Sequence, residues 1–470
     1  MIFSVEEVLR ATGGRLLRRG DDAFQGVSTD SRTIGEGELY IALKGPRFDG
    51  HHFALEALEK KAGGVIIEEE RAGDIHWNGH SSRTIILVQD TLRALGDLAR
   101  ERRRRYQTPV VALTGSNGKT TSKEMIAACL ETTFPILKNR GNWNNLVGLP
   151  LSMLEIAPPT RVGIFEMGTN RRGEIAELAA IAEPDAGIIT AISPAHLEFL
   201  GSERGVFEEK ASLLDSLPAD GWAVLPADSR WFDALRKRAP GPVCAVGQSA
   251  RADLRWELGD RLQDGWVVRY TDRQLGWEAC GQVPGLAAHA GEAAGMALAL
   301  VSRWGYDVRA ALDAIARCRL PPMRMERREI GGVTWIDDSY NANPISMRAA
   351  LDVLAGYPCA GRRILVVGDM LELGAASDRY HRQLGRWIRA RPFAAVFGCG
   401  DAIGRTLDEL DRPGSLAQRA GAPAPTAAAL IDRVLSCVRP GDLVLVKASH
   451  GIGLDRLVRA AQEREAVPVG

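Results

Sequence analysis

Two periodicities alternate along this chain. Short apolar runs recur at Glu38–Leu43, Gly64–Glu68 and Thr84–Val88, again from Val110, and at Val162–Glu166, Ala186–Ile192 and Trp222–Pro226. A third set follows at Ile364–Gly368, Ala394–Phe397 and Leu443–Val446. Each is strand-length and reads as a buried strand. Between them lie segments with helical spacing, among them Phe53–Ala62, Thr91–Tyr106, Lys123–Leu130, Gly173–Ile181 and Ala310–Arg317. Strands alternating with helices predict mostly parallel sheets and an α/β class. Arg251–Val283 lacks a helical period and predicts an antiparallel appendage. Pro321-Pro322 breaks the chain, and Arg412–Pro425, rich in Pro, Gly and Ala, predicts a loop.

The length of 470 residues asks for more than one core. The pattern divides into 1–90, a helix over 91–108, a central part over 109–322 and a last part over 323–470. With 59 basic against 59 acidic residues, the chain is not expected to bind nucleic acid or anionic membranes in general. Seven dispersed cysteines without a Cys-x-x-Cys pair suggest reduced thiols. Met1–Arg10 carries Glu6 and Glu7 and lacks a signal core, and no apolar run could span a bilayer. The expectation is a soluble cytoplasmic protein. The basic run Arg100 and Arg102–Arg105 reads as the solvated C-terminal end of a helix.

The strand from Val110 breaks into Gly115-Ser116-Asn117-Gly118-Lys119-Thr120-Thr121 and then a helix. Strand, glycine loop and helix in that order make a phosphate site, because backbone N–H groups converge at a helix N-terminus. Lys119 would reach the terminal phosphates and the Thr120 hydroxyl would ligate Mg²⁺. A strict P-loop has glycine where Leu113 stands, so the loop is a shortened variant. Glu166 ends the strand Val162–Glu166, on the edge that faces the nucleotide in an open parallel sheet. A carboxylate there is an oxygen ligand for the same cation. Ser193-Pro194-Ala195-His196 brings His196 to that edge as a further metal candidate. Lys210, beside Glu208 and Glu209, reads locally as an exposed helix lysine. Asp337-Asp338-Ser339-Tyr340-Asn341-Ala342-Asn343-Pro344 is a polar run closing an apolar strand, with Pro344 placed to open a helix.

At these residues the chain resembles the ATP-dependent Mur ligases of peptidoglycan synthesis, over nearly its whole length. Thr29-Asp30-Ser31-Arg32 and Ala42 to His51 look like the family's uridine-nucleotide domain, with Ser31, Arg32, Lys44, Arg47 and Asp49 as the implied contacts. Leu113 to Thr121 is similar to the family's P-loop, which lacks the first glycine. Gly141-Asn142-Trp143-Asn144-Asn145 with Gly148-Leu149-Pro150 resembles its substrate-facing stretch, which implicates Asn142, Asn144 and Asn145. Asp337 to Pro344 and Val367 to Gly374 look like the branch that adds D-Ala-D-Ala.

The resemblance implies three domains: a small α/β domain for the UDP substrate, a central P-loop domain with a parallel sheet, and a Rossmann-like domain for the incoming D-Ala-D-Ala. It implies that Lys119 binds phosphate, that Thr120, Glu166 and His196 hold two magnesium ions, and that Lys210 is carbamylated. Arg324, Asn341 and Asn343 would line ATP, while Asp338, Lys447 and Ser449 would face substrate. The implied reaction joins D-Ala-D-Ala to UDP-MurNAc-tripeptide through an acyl phosphate, in a monomer. Three stretches depart from the family pattern. Ala211-Ser212 replaces Gly-Glu, Lys447-Ala448-Ser449-His450 replaces Lys-Gly-Ser-Arg, and His289-Ala290-Gly291-Glu292-Ala293 lacks both asparagines of an adenine-contacting helix. A related ligase with another amine substrate and a non-catalytic nucleotide-binding regulator are the alternatives.

Overall fold

The computed structural model describes residues 2–77 and 82–466. Three sheets carry the chain. The first has five strands in the order Arg15–Arg18, Thr84–Val88, Gly64–Glu68, Leu39–Ile41 and Val27–Ser28, parallel except for its first pair. A two-stranded pair, Phe3–Ser4 with Ala23–Phe24, lies beside it. The expected helix over Phe53–Ala62 is shorter: a 3-10 turn at Gly50–Phe53 runs into Ala54–Glu59.

The central sheet has nine strands. Its parallel part runs Leu254–Arg261, Val243–Gly247, Trp222–Pro226, Ala186–Ile189, Val110–Thr114, Val162–Glu166 and Ile136–Lys138. The expected antiparallel appendage is no separate body, because Leu254–Arg261, Gly265–Asp272 and Trp277–Pro284 extend this same sheet as antiparallel hairpins. Period-2 geometry explains its two cores. Val111 and Leu113 face a core with helices Lys119–Glu131 and Ala290–Arg303. Val110 and Ala112 face the opposite core with helix Thr91–Tyr106, which continues into Phe3, Ile66 and Ile86 of the first domain.

That continuity also corrects the reading of the basic run. Arg102 is buried, and its Nε donates to the Ile156 carbonyl at 2.6 Å. Arg103 pairs with Asp185 at 2.9 Å, Arg104 with Glu183, and Arg105 with Glu7. The arginines tie the helix to both neighbouring domains, with Arg102 buried and Arg104 and Arg105 still exposed at its end.

The last sheet runs Glu326–Ile330, Val333–Asp338, Leu443–Lys447, Arg363–Gly368 and Ala395–Cys399, parallel after its first pair. The register sets Asp338 opposite Lys447. Asn343 caps helix Pro344–Gly356 in a capping box, with Pro344 at its start. The segment Arg412–Pro425 stays irregular apart from single bridges at Arg419 and Ala424.

Arg303, at the end of helix Ala290–Arg303, reaches the sheet extension and meets Asp272 at 2.5 Å, with both side chains almost fully buried (2% and 0% exposed). Removing one partner strands the other charge. Arg303→Met is therefore expected to cost about 3–5 kcal/mol, read as a lower urea midpoint. A variant within about 1 kcal/mol of the parent would refute this role.

Candidate functional site

The C-terminal ends of the central parallel strands share one edge. The register pairs Glu166 with Leu113, and Ile189 with Thr114. The loop after Thr114 and the ends of its two neighbours therefore converge. Helix Lys119–Glu131 starts directly at Lys119, earlier than its apolar spacing indicated, with Gly118 at φ +81° as its cap. Gly115 is required by close approach, since a Cβ there would lie 2.0 Å from Thr190 Oγ1. The Thr190 hydroxyl donates to the Asn117 carbonyl at 2.5 Å. Ser116 fastens the other side, its hydroxyl donating to the Ser193 carbonyl at 2.9 Å. Lys119 folds over the loop, with Nζ donating to the Gly115 carbonyl at 2.8 Å.

Glu166 is buried at the centre of this edge. Thr120 Oγ1 donates to its Oε2 at 2.7 Å and Asn144 Nδ2 to its Oε1 at 2.9 Å. Burial alone would raise the carboxyl, but the charges of Lys119, Lys123 and Arg324 and the Thr120 hydroxyl outweigh it and hold Glu166 below the usual range. Asn139 clamps the same strand end: its Oδ1 accepts from Glu166 N at 3.0 Å and its Nδ2 donates to the Glu166 carbonyl at 2.9 Å. The wholly buried Lys123 amine holds the Asn139 carbonyl at 3.0 Å.

His196 stands in the left-handed region at φ +53°, and its Nδ1 lies 2.6 Å from Glu372 Oε2, across the domain boundary. That contact lowers the Glu372 carboxyl and leaves His196 Nε2 for the cavity. Lys210 is not the exposed helix lysine of the local reading: it is 1% exposed. Burial, and then the Lys119 charge, push its amine down to about 7. The adjacent Glu209 is occupied, accepting from Thr169, Gly173 and Ile175.

A cavity of about 460 Å³ joins the loop, Glu166 and His196 to the last domain, while Lys210 is not on its lining. Ser116–Thr121, Asn142, Asn144, Asn145, Glu166, His196, Arg324, Asp338, Asn341 and Lys447 line it. Arg324 lies 4.2 Å over the Tyr340 ring, between Met323 and Met325, both at positive φ. Lys447 Nζ meets Asp338 Oδ2 at 2.6 Å and the Asn341 carbonyl at 2.8 Å.

Other candidates are occupied within the fold or lie outside the lining. Asn343 is spent on its helix cap and on a reciprocal amide pair with Asn117, at 2.7 and 3.3 Å. Ser449 is buried and accepts from Leu371 N at 2.9 Å. Asn145 lines the cavity and also accepts from Gly148 N at 2.8 Å. Ser31, Arg32, Lys44, Arg47 and Asp49 lie in the first domain, away from the cavity. Arg32 pairs with Asp30 at 2.7 Å, Asp49 with His51 at 2.6 Å, and Phe48 beside Arg47 is 73% exposed. The Ser31 carbonyl accepts from Lys60.

Comparison with known proteins follows this geometry. Family models match in three places: Mur ligase family, catalytic domain, over residues 23–103; Mur ligase middle domain over 113–270; and Mur ligase, glutamate ligase domain, over 323–450. The UDP-N-acetylmuramoyl-tripeptide–D-alanyl-D-alanine ligase of Bacillus subtilis is 33% identical over 444 residues, 93% of either chain. The chain belongs to the Mur ligase family. Among solved structures, MurF from Acinetobacter baumannii superposes with a TM-score of 0.89 at 26% identity, covering 98% of this chain and 99% of that one. The MurF ligase from Thermotoga maritima in complex with ADP gives 0.79 at 27%, covering 95% and 97%.

Within this Mur ligase, Asn139, Lys123 and Glu372 escaped the reading of the sequence. Glu372 lay inside a quoted motif, but its partner is 176 residues away. Glu292, on the cavity wall beside Ala293, was also missed, and burial with Asp228 nearby pushes its carboxyl up to about 7.

Gly115→Ala is expected to displace the loop without unfolding the chain. Binding of a fluorescent ATP analogue should weaken at least about tenfold, a loss of about 1.4 kcal/mol or more, while circular dichroism stays unchanged. Undiminished binding would contradict the close approach at Thr190.

Proposed function

We propose that this chain is an ATP-dependent ligase that adds D-alanyl-D-alanine to UDP-N-acetylmuramoyl-tripeptide in the assembly of peptidoglycan precursors. The observation that carries the reading is the cavity itself. A phosphate loop, a buried carboxylate and residues of the last domain meet in a chain whose relatives bear that activity over 93% of their length.

In the proposed reaction, a terminal carboxylate oxygen of the tripeptide attacks the γ-phosphorus of ATP. The bond to the bridging oxygen breaks and ADP leaves, giving an acyl phosphate. The amine of D-Ala-D-Ala then attacks the acyl carbon, the carbon–oxygen bond breaks, phosphate departs, and the amine loses a proton. A carboxylate and a triphosphate repel each other, so cations must align them. Lys119 and Arg324 bring two to the cavity. The donor set suits magnesium: the Thr120 hydroxyl and the Glu166 carboxylate sit 2.7 Å apart, and His196 is held through Nδ1 so that Nε2 is available. These three residues would hold the ions, which would supply charge neutralisation on the phosphates. Among the described residues no three His, Cys, Asp or Glu side chains form a metal cluster. A site completed by phosphate oxygens and water needs no such cluster.

Lys210 supports the carbamate reading. A neutral amine can attack carbon dioxide, forming the N–C bond with loss of a proton, and its buried amine sits near neutrality. The resulting anion would face the charges of Lys119. Asn341 would line ATP and Asp338, with its carboxylate on Lys447, would face substrate, while the exposed Arg32, Lys44 and Arg47 suit an anionic uridine nucleotide. No helix is long and apolar enough to cross a membrane, among the described residues. A cytoplasmic monomer is the working assignment.

Phosphate release should require ATP, UDP-MurNAc-tripeptide and D-Ala-D-Ala together. Release with diaminopimelate or glutamate as the amine, or without any amine, would replace the reading with another ligase or a regulator. Lys119→Ala should lower turnover by at least ~10²-fold, as loss of a preorganised charge donor does, and near-normal turnover would remove the loop from the mechanism. Lys210→Ala should be inactive yet partly restored by a short-chain carboxylic acid. Stimulation of the parent by bicarbonate should grow as the pH rises from about 6 to about 8, because the amine sheds its proton across that interval. A flat response would argue against the carbamate.

A further inference from the structure

The cavity that holds the phosphate loop has a larger neighbour. A cleft of about 1090 Å³ lies beside it, between the central and last domains, sharing the Thr190–Ile192 wall, Glu292 and Ile345. Arg379, Arg382 and Arg386 line it from helix Ser377–Arg389, and Arg348 from helix Pro344–Gly356. Spacings of three, four and seven put the first three on one helical face.

Arg348, Arg379 and Arg386 are exposed and Arg382 half-buried, so without a ligand the arrangement carries a modest repulsion. Like charges one turn apart repel. Arg379 also stands in the first turn of its helix, where the backbone dipole disfavours a cation. Nearby carboxylates do not relieve it. Glu203 is engaged by Arg230, Asp378 by Arg405 at 3.3 Å, and Asp228 by the amides of Gln248 and Ser249 at 2.7 and 3.0 Å. None of the four arginines has an ion pair among the described residues. Arg379 lies 4.5 Å over the Tyr380 ring and Arg348 5.9 Å over Trp387, aromatic residues that also line the cleft. The one unengaged acid on the lining is Glu292, on the wall shared with the nucleotide cavity.

We infer that this cleft is a second anion site, separate from the phosphate loop, for a ligand carrying two or more phosphates. Guanidinium forks match phosphate oxygens in pairs, and the volume exceeds what a single phosphate needs. The ligand would bridge domains, because Ser229 and Arg230 come from the central domain and the other arginines from the last.

Calorimetry on the full chain, with the loop saturated by a non-hydrolysable ATP analogue and Mg²⁺, tests this with inorganic tripolyphosphate and with GTP as probes. One further binding event is expected. It should weaken at least tenfold in Arg379→Ala/Arg382→Ala/Arg386→Ala, and severalfold in Arg348→Ala from the opposite helix, with affinity for the ATP analogue unchanged in both. Tighter binding of GTP than of tripolyphosphate would mark a nucleotide as the ligand, and equal binding an oligophosphate. Absence of a further event up to millimolar probe, or an event unaltered in both variants, would overturn the inference.

Discussion

Positive charge held away from water is the constraint around which this site is arranged. Lys123 and Lys210 are almost wholly buried, and Lys119 and Arg324 close on the same edge, while Glu166 is the carboxylate that the charges of Lys119, Lys123 and Arg324 act on. Cations in low dielectric must find counter-charge or lose protons. Both outcomes are visible: Glu166 is held ionised, and the Lys119 and Lys210 amines are lowered by burial. Such a set is completed by anions, which is what a triphosphate and a lysine carbamate would each supply. The phosphate loop and the buried lysine are two parts of one electrostatic problem.

The last domain meets this edge through backbone that ordinary residues avoid. Seven non-glycine residues stand at positive φ among those described, and four of them, His196, Met323, Met325 and Glu372, sit where the two domains meet. Left-handed geometry at such residues costs about 1–3 kcal/mol each and persists only where surrounding contacts impose it. Here the contacts are the His196–Glu372 pair, the Glu198 N to Glu372 carbonyl bond at 3.0 Å, and the Asn117–Asn343 amide pair. All three cross from the central domain to the last, so the edge that carries the loop and His196 is fastened to both.

The order of strands and helices, the loop and the carboxylate at its edge could be read from the chain because each is encoded within a few residues. Apolar runs reveal strands, and a strand end reveals what it carries. What escaped was set by distant partners. Arg102–Arg105 looked like a solvated end because Ile156, Glu183, Asp185 and Glu7 are far away in sequence. Lys210 looked exposed beside Glu208 and Glu209, yet helix Glu203–Ala211 buries Val206, Phe207 and Lys210 together. Asn139 gave no signal at all, since an asparagine after a short edge strand is an ordinary turn residue. The antiparallel hairpins were legible as strands but not as a continuation of the central sheet, because that pairing joins Val246 to Leu254 across a loop.

The two ends of the nucleotide cavity obtain affinity by different means. At the phosphate end, fixed N–H groups and charges act in a water-poor site, where electrostatic terms are strong. Elsewhere on the lining stand Ala287, Ala290, Ala293, Met296 and Leu320, with His289 and Glu292 as polar groups among them. Small apolar side chains offer a base dispersion and burial but little direction. A protonated carboxyl presents a donor beside an acceptor, and an ionised one presents acceptors only. A triphosphate held there would take its direction from the loop, and the apolar lining would add burial.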